Sequence, residues 1–525
     1  MGVSRDFFPM FIRKKRNSSG NVSVQLVGHD HRVMKSFGVG KSAEKVESLV
    51  AAAERYVAAH YGRQEQLFPD EQDVLTERTI SALCNSQVRL VGPELVFGRI
   101  FDEIGFKGIG GDVFRHLVIT RLFNPGSKLK TVEYLRRHLG LDYSVSTVYR
   151  FLDRLCCRDR DASGGDVKRQ VEEISFRHTK KILGGEVTAV FYDMTTLYFE
   201  ASDEDDLRIC GFSKDGKHQC PQVYLGLLVG HGGNPLCYEL FEGNVCESRT
   251  MLPLLRRFEE RFHVGRPVIV ADSGLLSKSN IAALAEAGYT YVLGARPKNE
   301  SAALQTKILA AVPHDGDIAV IEKEPGVRLV VSRSAARAKK DARNRERGLA
   351  RLEKNIGSGR LTKANINNRG YNKYLRMEGE VKVTIDFGKY EADAAWDGVK
   401  GYVTNTTLPP EEVIANYRGL WRIERAFRMN KTDLRIRPVF HRLRNRIEGH
   451  LCVCFTAYTV MLELERRLAA SGCTISGAKA GEIAAGMYEI TYRLPVSGKS
   501  RTQLLKMSDE QQKLYDSVIL HPNGT

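Results

Sequence analysis

Apolar and polar positions along this chain change period several times, and each change marks a new element. Residues 9 to 60 open with three short runs, PMFIRKK, VSVQLVG and RVMKSFGV, parted by NSSGN and an HD turn. They read as strands, and SAEKVESLVAAAERYVAAH behind them has helical spacing. From 85 to 182 the period is mostly helical. GDVFRHLVITRLF stops at Asn124-Pro125-Gly126, SKLKTVEYLRRHLG ends on Gly140, and SVSTVYRFLDRL begins after a short connection. The last two resemble a helix-turn-helix, with Thr147, Tyr149 and Arg150 near the start of its second helix; an ordinary helical hairpin gives the same pattern.

From 185 the spacing shortens. VTAVFYDMTTLYFE, PQVYLGLLVG and PLCYELFEGN read as strands, with a tight turn expected at Asp215-Gly216. The helix SRTMLPLLRRFEERF, the strand RPVIVAD, the helix SKSNIAALAEAG and the strand YTYVLGAR follow. The order βββ-α-β-α-β predicts a mixed α/β sheet with helices packed against it. Residues 300–405 interrupt it with IAVIEKE, RLVVSRS, EVKVTIDF and GYVTNTT around a basic helical stretch, 335–355. One long helix is expected from Pro409-Pro410 through EEVIANYRGLWRIERAFRMNK, then a buried helix over 448–470 and a polar tail from 495.

The pattern divides the chain into a small β-rich unit with a helix (1–65), a helical region with the helix-turn-helix pattern of a DNA-binding domain (85–182), the first part of the α/β core (185–299), a β-rich basic insertion (300–405), the second part of the core (406–470) and a C-terminal tail (471–525). A length of 525 residues agrees with several domains. Composition, 42% hydrophobic and 27% charged, is that of a globular protein rather than a disordered, collagenous or coiled-coil one.

The N-terminus MGVSRDFFPMFIRKKR has no apolar segment before its charges, so no secretory signal is expected. The longest apolar stretch, Leu451 to Leu462, falls short of the roughly 20 residues of a membrane span. The expectation is a cytoplasmic protein with no membrane partner. The ten cysteines form no CxxC. Neither Cys156/Cys157 nor Cys452/Cys454 has a matching second pair, so all read as reduced structural thiols. His218, His231, His441 and His450 are too dispersed for a zinc site, and no GxxxxGK[ST] loop suggests ATP. The run Asp203-Glu204-Asp205-Asp206 reads as a solvated loop.

Charge changes the picture. The net charge is +16. From Arg333 to Arg376 fourteen Lys/Arg face only Asp341, Glu346 and Glu353; from Tyr417 to Arg446 ten face only Glu424 and Asp433. The remainder of the chain is slightly acidic. Excess concentrated in two blocks is an electrostatic footprint for nucleic acid, although a charge run is also what a solvated face looks like.

Within that frame Asp193 follows the apolar run VTAVFY and Asp272 follows PVIVA, so both lie in or at the end of core strands. Strand-end carboxylates that converge at a sheet edge supply hard oxygen ligands for Mg²⁺; as caps or turn formers they do nothing of the kind. On the long helix Tyr417, Leu420, Glu424, Arg428 and Lys431 share a face, and Glu424 is its lone carboxylate. It either pairs with Arg428 or faces a metal.

The segments FYDMTTLYFE, DLRICGFSKDGKHQCPQVYLGLLVG, FEGNVCESRT, VIVADSG and YRGLWRIERAFRMNK together resemble insertion-sequence transposases of the DDE type, in the branch with a β-rich insertion before the Glu. The last is similar to that branch's Tyr-x2-Arg-x3-Glu-x6-Lys signature. The resemblance implies an RNase H-like core and assigns Asp193, Asp272 and Glu424 as the catalytic, metal-binding triad, at spacings of 79 and 152 residues. It implies two Mg²⁺ ions, with Mn²⁺ able to substitute, and double-stranded DNA (terminal repeats and target) as partner, with a homodimer in the synaptic complex. Tyr417 and Lys431 fall on the first and last signature positions. Leu420 stands where the signature has Arg, and Arg418 and Arg422 flank it on other faces. Tyr417, Arg418, Arg422, Arg428 and Lys431 are the expected DNA contacts, the cations on phosphates. Trp396, in AAWDGVKGY, matches an aromatic that stacks a flipped base, or packs the insertion core; Trp421, off the Glu424 face, is expected to be buried. The implied activity is DNA cleavage and strand transfer. An RNase H-like nuclease without strand transfer and a transposase-derived DNA-binding protein are the alternatives.

Overall fold

A computed structural model describes residues 10–28, 30–61, 71–156, 166–213, 216–246, 249–275, 277–358, 361, 366–367, 370–378 and 382–519. Contacts divide the chain into two units, residues 1–84 with 492–501 and residues 85–491 with 502–525. In the first, β1 (Phe11–Arg16), β2 (Val22–Val27) and β3 (Val33–Gly40) form an antiparallel sheet in that order. Helix α1 (Ala43–Tyr61) packs on it and buries Val24 and Leu26. Helix α2 (Glu71–Ser81) follows.

The second unit begins with the short strand β4 (Val88–Leu90) and the helices α3 (Arg99–Ile104), α4 (Gly111–Phe123), α5 (Lys128–Tyr134), α6 (Val145–Leu155) and α7 (Val167–Ile182). Ser127, Ser144 and Asp166 cap three of them by accepting a backbone N–H in the first turn. Cys157, of the adjacent cysteine pair, lies outside the described residues.

The core follows as β5 (Ala189–Tyr198), β6 (Gln222–Val229), β7 (Pro235–Glu242), α8 (Met251–Phe262), β8 (Val268–Ala271), α9 (Lys278–Glu286) and β9 (Tyr291–Gly294). The first three strands are antiparallel neighbours, whereas β5, β8 and β9 run parallel. The order β7-β6-β5-β8-β9 is the RNase H-like mixed sheet. Of the expected Asp215-Gly216 turn, Asp215 is outside the described residues; Gly216 has φ 74°.

Residues 300–405 carry α10 (Ala302–Ala311), β10 (Ile318–Glu324), β11 (Val327–Arg333), α11 (Ala335–Gly357), β12 (Leu375–Glu378), β13 (Lys382–Ile385), α12 (Phe387–Ala394) and β14 (Val399–Thr404). Strand β14 pairs antiparallel with β9, so three strands of this stretch extend the core sheet to eight, β10-β11-β14-β9-β8-β5-β6-β7. The hairpin β12-β13 packs with α11 around a small core of its own, Leu352, Tyr374, Leu375, Val383 and Ile385.

The single long helix expected after Pro409-Pro410 is two, α13 (Pro410–Arg418) and α14 (Trp421–Thr432). The break has a packing cause. A Cβ on Gly419 would stand 2.7 Å from the ring of Phe191, so backbone and strand meet there without a side chain between them. The turn tightens around this point, with Leu420 N–H donating to Tyr417 O at 3.0 Å and Ile423 N–H to Leu420 O at 3.1 Å. Helix α15 (Arg444–Ala470) is the described helix long and apolar enough to cross a membrane, and its apolar window is wholly buried. The segment read as a C-terminal tail, 471–525, holds α16 (Gly477–Ala484) and α17 (Asp509–Ile519), both packed on α15, with Leu514 and Val518 buried.

Two apolar layers sandwich the sheet. Val190 and Tyr192 of β5 and Ala271 of β8 face one, with α8, α9 and α10. Phe191 and Val270 face the other, with α13, α14 and α15. Helix α6 packs on α15: Arg446 lies 4.8 Å from the Tyr149 ring and bonds Asp153 at 2.7 and 2.8 Å. Tyr149 therefore faces inward, while Arg150 is exposed and Thr147 is half-buried.

Candidate active site

The site is built on strand parity. In the parallel pair β5/β8, Tyr192 is opposite Ala271, so Asp193 and Asp272 are the next residues along two adjacent strands. Since alternate residues face opposite sides of a sheet, both follow Phe191 and Val270 to the side covered by α13 and α14. Asp193 is half-buried in mid-strand and Asp272 is exposed just past the end of β8. Each accepts the next residue's N–H: Asp193 Oδ1 from Met194 at 2.7 Å, Asp272 Oδ1 from Ser273 at 2.6 Å.

Glu424 is in the first turn of α14, exposed, and lines the same cavity of about 680 Å³ as Asp272. That cavity also presents Arg296, Lys298, Arg337, Lys400 and Arg418, so cations outnumber its two carboxylates. Trp396 and Trp421 are two of its walls. Among the described residues no group of three or more His, Cys, Asp or Glu is close enough together to hold a metal ion. The donor set nonetheless suits Mg²⁺, which takes one or two carboxylates and completes its shell with water and phosphate oxygens. Asp193 and Asp272 are such a pair by register, and Glu424 reaches the cavity from the facing helix.

Tyr417 ties the helix side to the sheet side. Its hydroxyl donates to Asp272 Oδ1 at 3.0 Å, and burial together with the Asp272 carboxylate pushes its pKa well above the ordinary phenol value. Gly294 makes the approach possible, because a Cβ there would overlap the Tyr417 hydroxyl. Lys400 caps the arrangement, its ammonium 4.7 Å from the Tyr417 ring. Burial pushes the Lys400 pKa down, helped by Arg337 and Arg418 and opposed by Asp272 and Glu424.

Of the expected DNA contacts, Tyr417, Arg418 and Trp396 line the cavity. Trp396 is half-buried and also packs on the apolar layer opposite. Arg422 turns away and meets His231 Nδ1 at 3.1 Å. Arg428 is exposed and Lys431 half-buried on α14, outside the lining. Two readings are corrected. Trp421 is 54% exposed, not buried. Arg418 lines the cavity instead of pointing elsewhere, and Trp421, three residues before Glu424, shares its helix face and a wall of the cavity.

Lys400, Arg296 and Gly294 were not signalled by local pattern, and the pairing of β14 with β9 brings them together; Arg337 comes from the basic stretch 335–355. Elsewhere, His441 and His450, dispersed in sequence, have ring centroids 5.5 Å apart. Asp205, from the acidic run, is no free carboxylate: it accepts from the backbone of Leu207 and the side chain of Arg208 at 3.0 and 2.7 Å. Cys156, Cys237, Cys452, Cys454 and Cys473 are buried thiols.

An RNase H-like sheet with adjacent central aspartates beneath a glutamate-bearing helix defines a class of nucleotidyl-transfer folds. Residues 191–460, half of the chain, match the family model described as "Transposase DDE domain". The chain belongs to the DDE transposase family. Among solved structures it is similar to the piggyBac transposase synaptic complex with hairpin DNA, at 10% identity and a TM-score of 0.36, over 75% of this chain and 76% of that one. The Mos1 paired-end complex with left transposon end follows at 10% identity and 0.16, over 48% and 68%. A pre-cleavage Mos1 transpososome matches at 12% identity and 0.15, over 47% and 74%. No curated protein matches this chain.

Proposed function

We propose that this transposase cuts DNA at the ends of a mobile element and joins the freed ends to target DNA, with Asp193, Asp272 and Glu424 as its catalytic carboxylates. One observation carries the reading: Asp193 and Asp272 succeed register partners on adjacent parallel strands and face the side of the helix whose Glu424 lines one cavity with Asp272. A pair of Mg²⁺ ions, or Mn²⁺ in their place, would supply Lewis-acid stabilisation of the attacking and leaving oxygens. The chain's own residues do the rest. Tyr417 and the Ser273 N–H fix the Asp272 carboxylate. Arg418, Lys400 and Arg337 offset the charge of the phosphate under attack. Trp396 and Trp421 offer flat faces to an unstacked base.

Water displaces the 3′-oxygen of the element end, leaving a 3′-hydroxyl, and that hydroxyl then displaces an oxygen of a target phosphodiester. Neither displacement requires a protein nucleophile. Bringing two ends together calls for two copies of the chain.

The test is purified protein with Mg²⁺ and a duplex carrying the element's own terminal repeat. Cleaved plus joined products are expected. Cleavage alone would instead indicate a nuclease, and bound but intact DNA a transposase-derived binding protein. Asp193→Asn should abolish cutting and leave binding largely intact; cutting that survives the change would overturn the assignment.

A further inference from the structure

The catalytic cavity uses the basic helix α11 only at its first turn, through Arg337. One side of the rest of the helix holds it in place. Leu349, Leu352 and Ile356 pack into the small core around β12-β13, a Cβ on Gly348 would overlap the Tyr371 ring, and Arg345 pairs with Asp397.

The other side carries Lys340, Arg343, Arg347, Arg351 and Lys354, spaced three, four, four and three residues apart. That spacing sets them in one row along the helix, and all five are exposed. Among the described residues the ion pairs of α11 are Arg337 with Asp341 at 3.4 Å and Arg345 with Asp397, and neither touches the row. Glu346 and Glu353, seven residues apart, lie on the flank of the helix and leave the row without a carboxylate. Like charges three and four residues apart destabilise a helix, so such a row is favourable only against a counter-charge of matching shape. From Lys340 to Lys354 it is about 21 Å long at a rise of about 1.5 Å per residue, the length of about six base pairs of duplex DNA.

We infer that this row is the seat of target DNA, gripping the phosphates of a duplex that runs from the cavity along α11. The inference rests on the transposase reading above and says which of its two DNAs the helix serves. Two observations favour the target over the element end. The row consists of Lys and Arg alone, and phosphate contacts position a duplex without reading its sequence. Element ends must be told from other DNA, whereas a target need not be. The row also starts beside the reacting centre: Arg337 lines the cavity with Asp272 and Glu424, and Lys340 follows three residues on.

The test uses the full chain in EDTA, where no cutting occurs. The protein is saturated with a duplex carrying the element's terminal repeat, and a second, labelled duplex of unrelated sequence is titrated in. Capture is read by anisotropy at several salt concentrations. Wild type should capture the second duplex. Arg343→Ala/Arg347→Ala/Arg351→Ala, which places the best helix former at three exposed positions, should capture it about tenfold or more weakly, with a salt slope shallower by about two to three. Its affinity for the terminal repeat should stay within about twofold of wild type. Arg177→Ala/Lys180→Ala/Lys181→Ala removes as many exposed charges near the end of α7, which packs on β7 at the opposite edge of the sheet from β10, and should behave as wild type in both measurements.

A second measurement needs no variant. In the repeat-bound wild-type protein, acetylation of Lys340 and Lys354 should slow when the second duplex is added, and that of the exposed Lys307 on α10 should not. No capture by wild type, wild-type capture by the row variant, or equal loss from the α7 variant overturns the inference. So does an equal loss of both duplexes from the row variant, or protection of Lys340 and Lys354 by the terminal repeat alone, either of which would give the row to the element end. None of these readouts involves cutting, so failure here leaves the catalytic proposal standing, and failure of Asp193→Asn to abolish cutting leaves this one standing.

Discussion

The hydroxyl of Tyr417 donates to Asp272 Oδ1 at 3.0 Å, and it does so across Gly294, where any side chain would occupy the hydroxyl's place. A buried phenol that spends its proton on a candidate metal-binding carboxylate is a positioning group. Tyr417→Phe keeps the ring and deletes the bond. A hydrogen bond to a charged group is worth about 1.5–3 kcal/mol. The single-turnover cleavage rate should therefore fall about ten- to hundredfold. DNA affinity in EDTA should change less than about twofold. Equal losses in rate and affinity would mean that Tyr417 touches DNA instead.

Gly294→Ala is the complementary change on the sheet side. The new Cβ would overlap the Tyr417 hydroxyl and stand 3.0 Å from the Ser273 nitrogen, so α13 or the β8 end must shift. Overpacking of this kind costs about 1–3 kcal/mol. Thermal unfolding should move down by a few degrees while cleavage falls at least as far as in Tyr417→Phe. A variant as active as wild type would show that the contact is dispensable.

How much of this was legible in sequence differs from residue to residue. Asp193 and Asp272 stand out because each ends an apolar run, and a strand is a local pattern. Glu424 stands out as one carboxylate in a cationic block. Lys400 and Gly294 do not, because what joins them is the pairing of Tyr402 with Gly294 between strands more than a hundred positions apart. Hydrophobic period carries no information about which strand an insertion will join. Trp421 was misread for a different reason: it stands three residues before Glu424, a spacing that puts both on one helix face, so it opens to the cavity with Glu424.

Lys400 lies between the two charge systems of the cavity, near Asp272 and Glu424 on one side and Arg337 and Arg418 on the other. Its removal should act in opposite directions on the two ligands. In Lys400→Gln the carboxylates lose a competing cation, so half-maximal cleavage should need about two- to fivefold less Mg²⁺. The same variant should bind DNA more weakly in EDTA, with a salt slope shallower by about one. A raised Mg²⁺ requirement would place the Lys400 ammonium away from the carboxylates.

A buried cationic cluster beside α15 makes stability depend on pH. Burial, with Arg121 adding to it, lowers the Lys128 pKa to about 7, and burial with Lys128 and Arg121 lowers that of His441 to about 3. Both folded values lie below the unfolded ones, so the unfolded chain binds more protons and stability rises with pH between the two values. For His441 that window runs from about 3 to about 6.5, and for Lys128 from about 7 to about 10.5. Lys128→Met should raise the unfolding temperature at pH 7 and flatten the rise between pH 7 and 9. An unchanged profile in that variant would mean that the Lys128 ammonium is solvated.

Position 420 separates sequence register from spatial register. The resemblance puts arginine there; Leu420 is only 7% exposed, belongs to the apolar layer beneath α14 and borders the cavity from it. Arg418, two residues earlier, is exposed and lines the cavity with Glu424. Leu420→Arg should therefore not improve the enzyme. It forces a charge into an apolar layer at a cost of about 2 kcal/mol or more, seen as a lower unfolding temperature. Arg418→Ala should leave that temperature within about a degree, since surface truncations shift stability little, and should slow cleavage while making the DNA-binding salt slope shallower by about one. Should Leu420→Arg instead speed cutting with no loss of stability, the cavity would have room for the signature arginine after all, and Arg418 would not be its substitute.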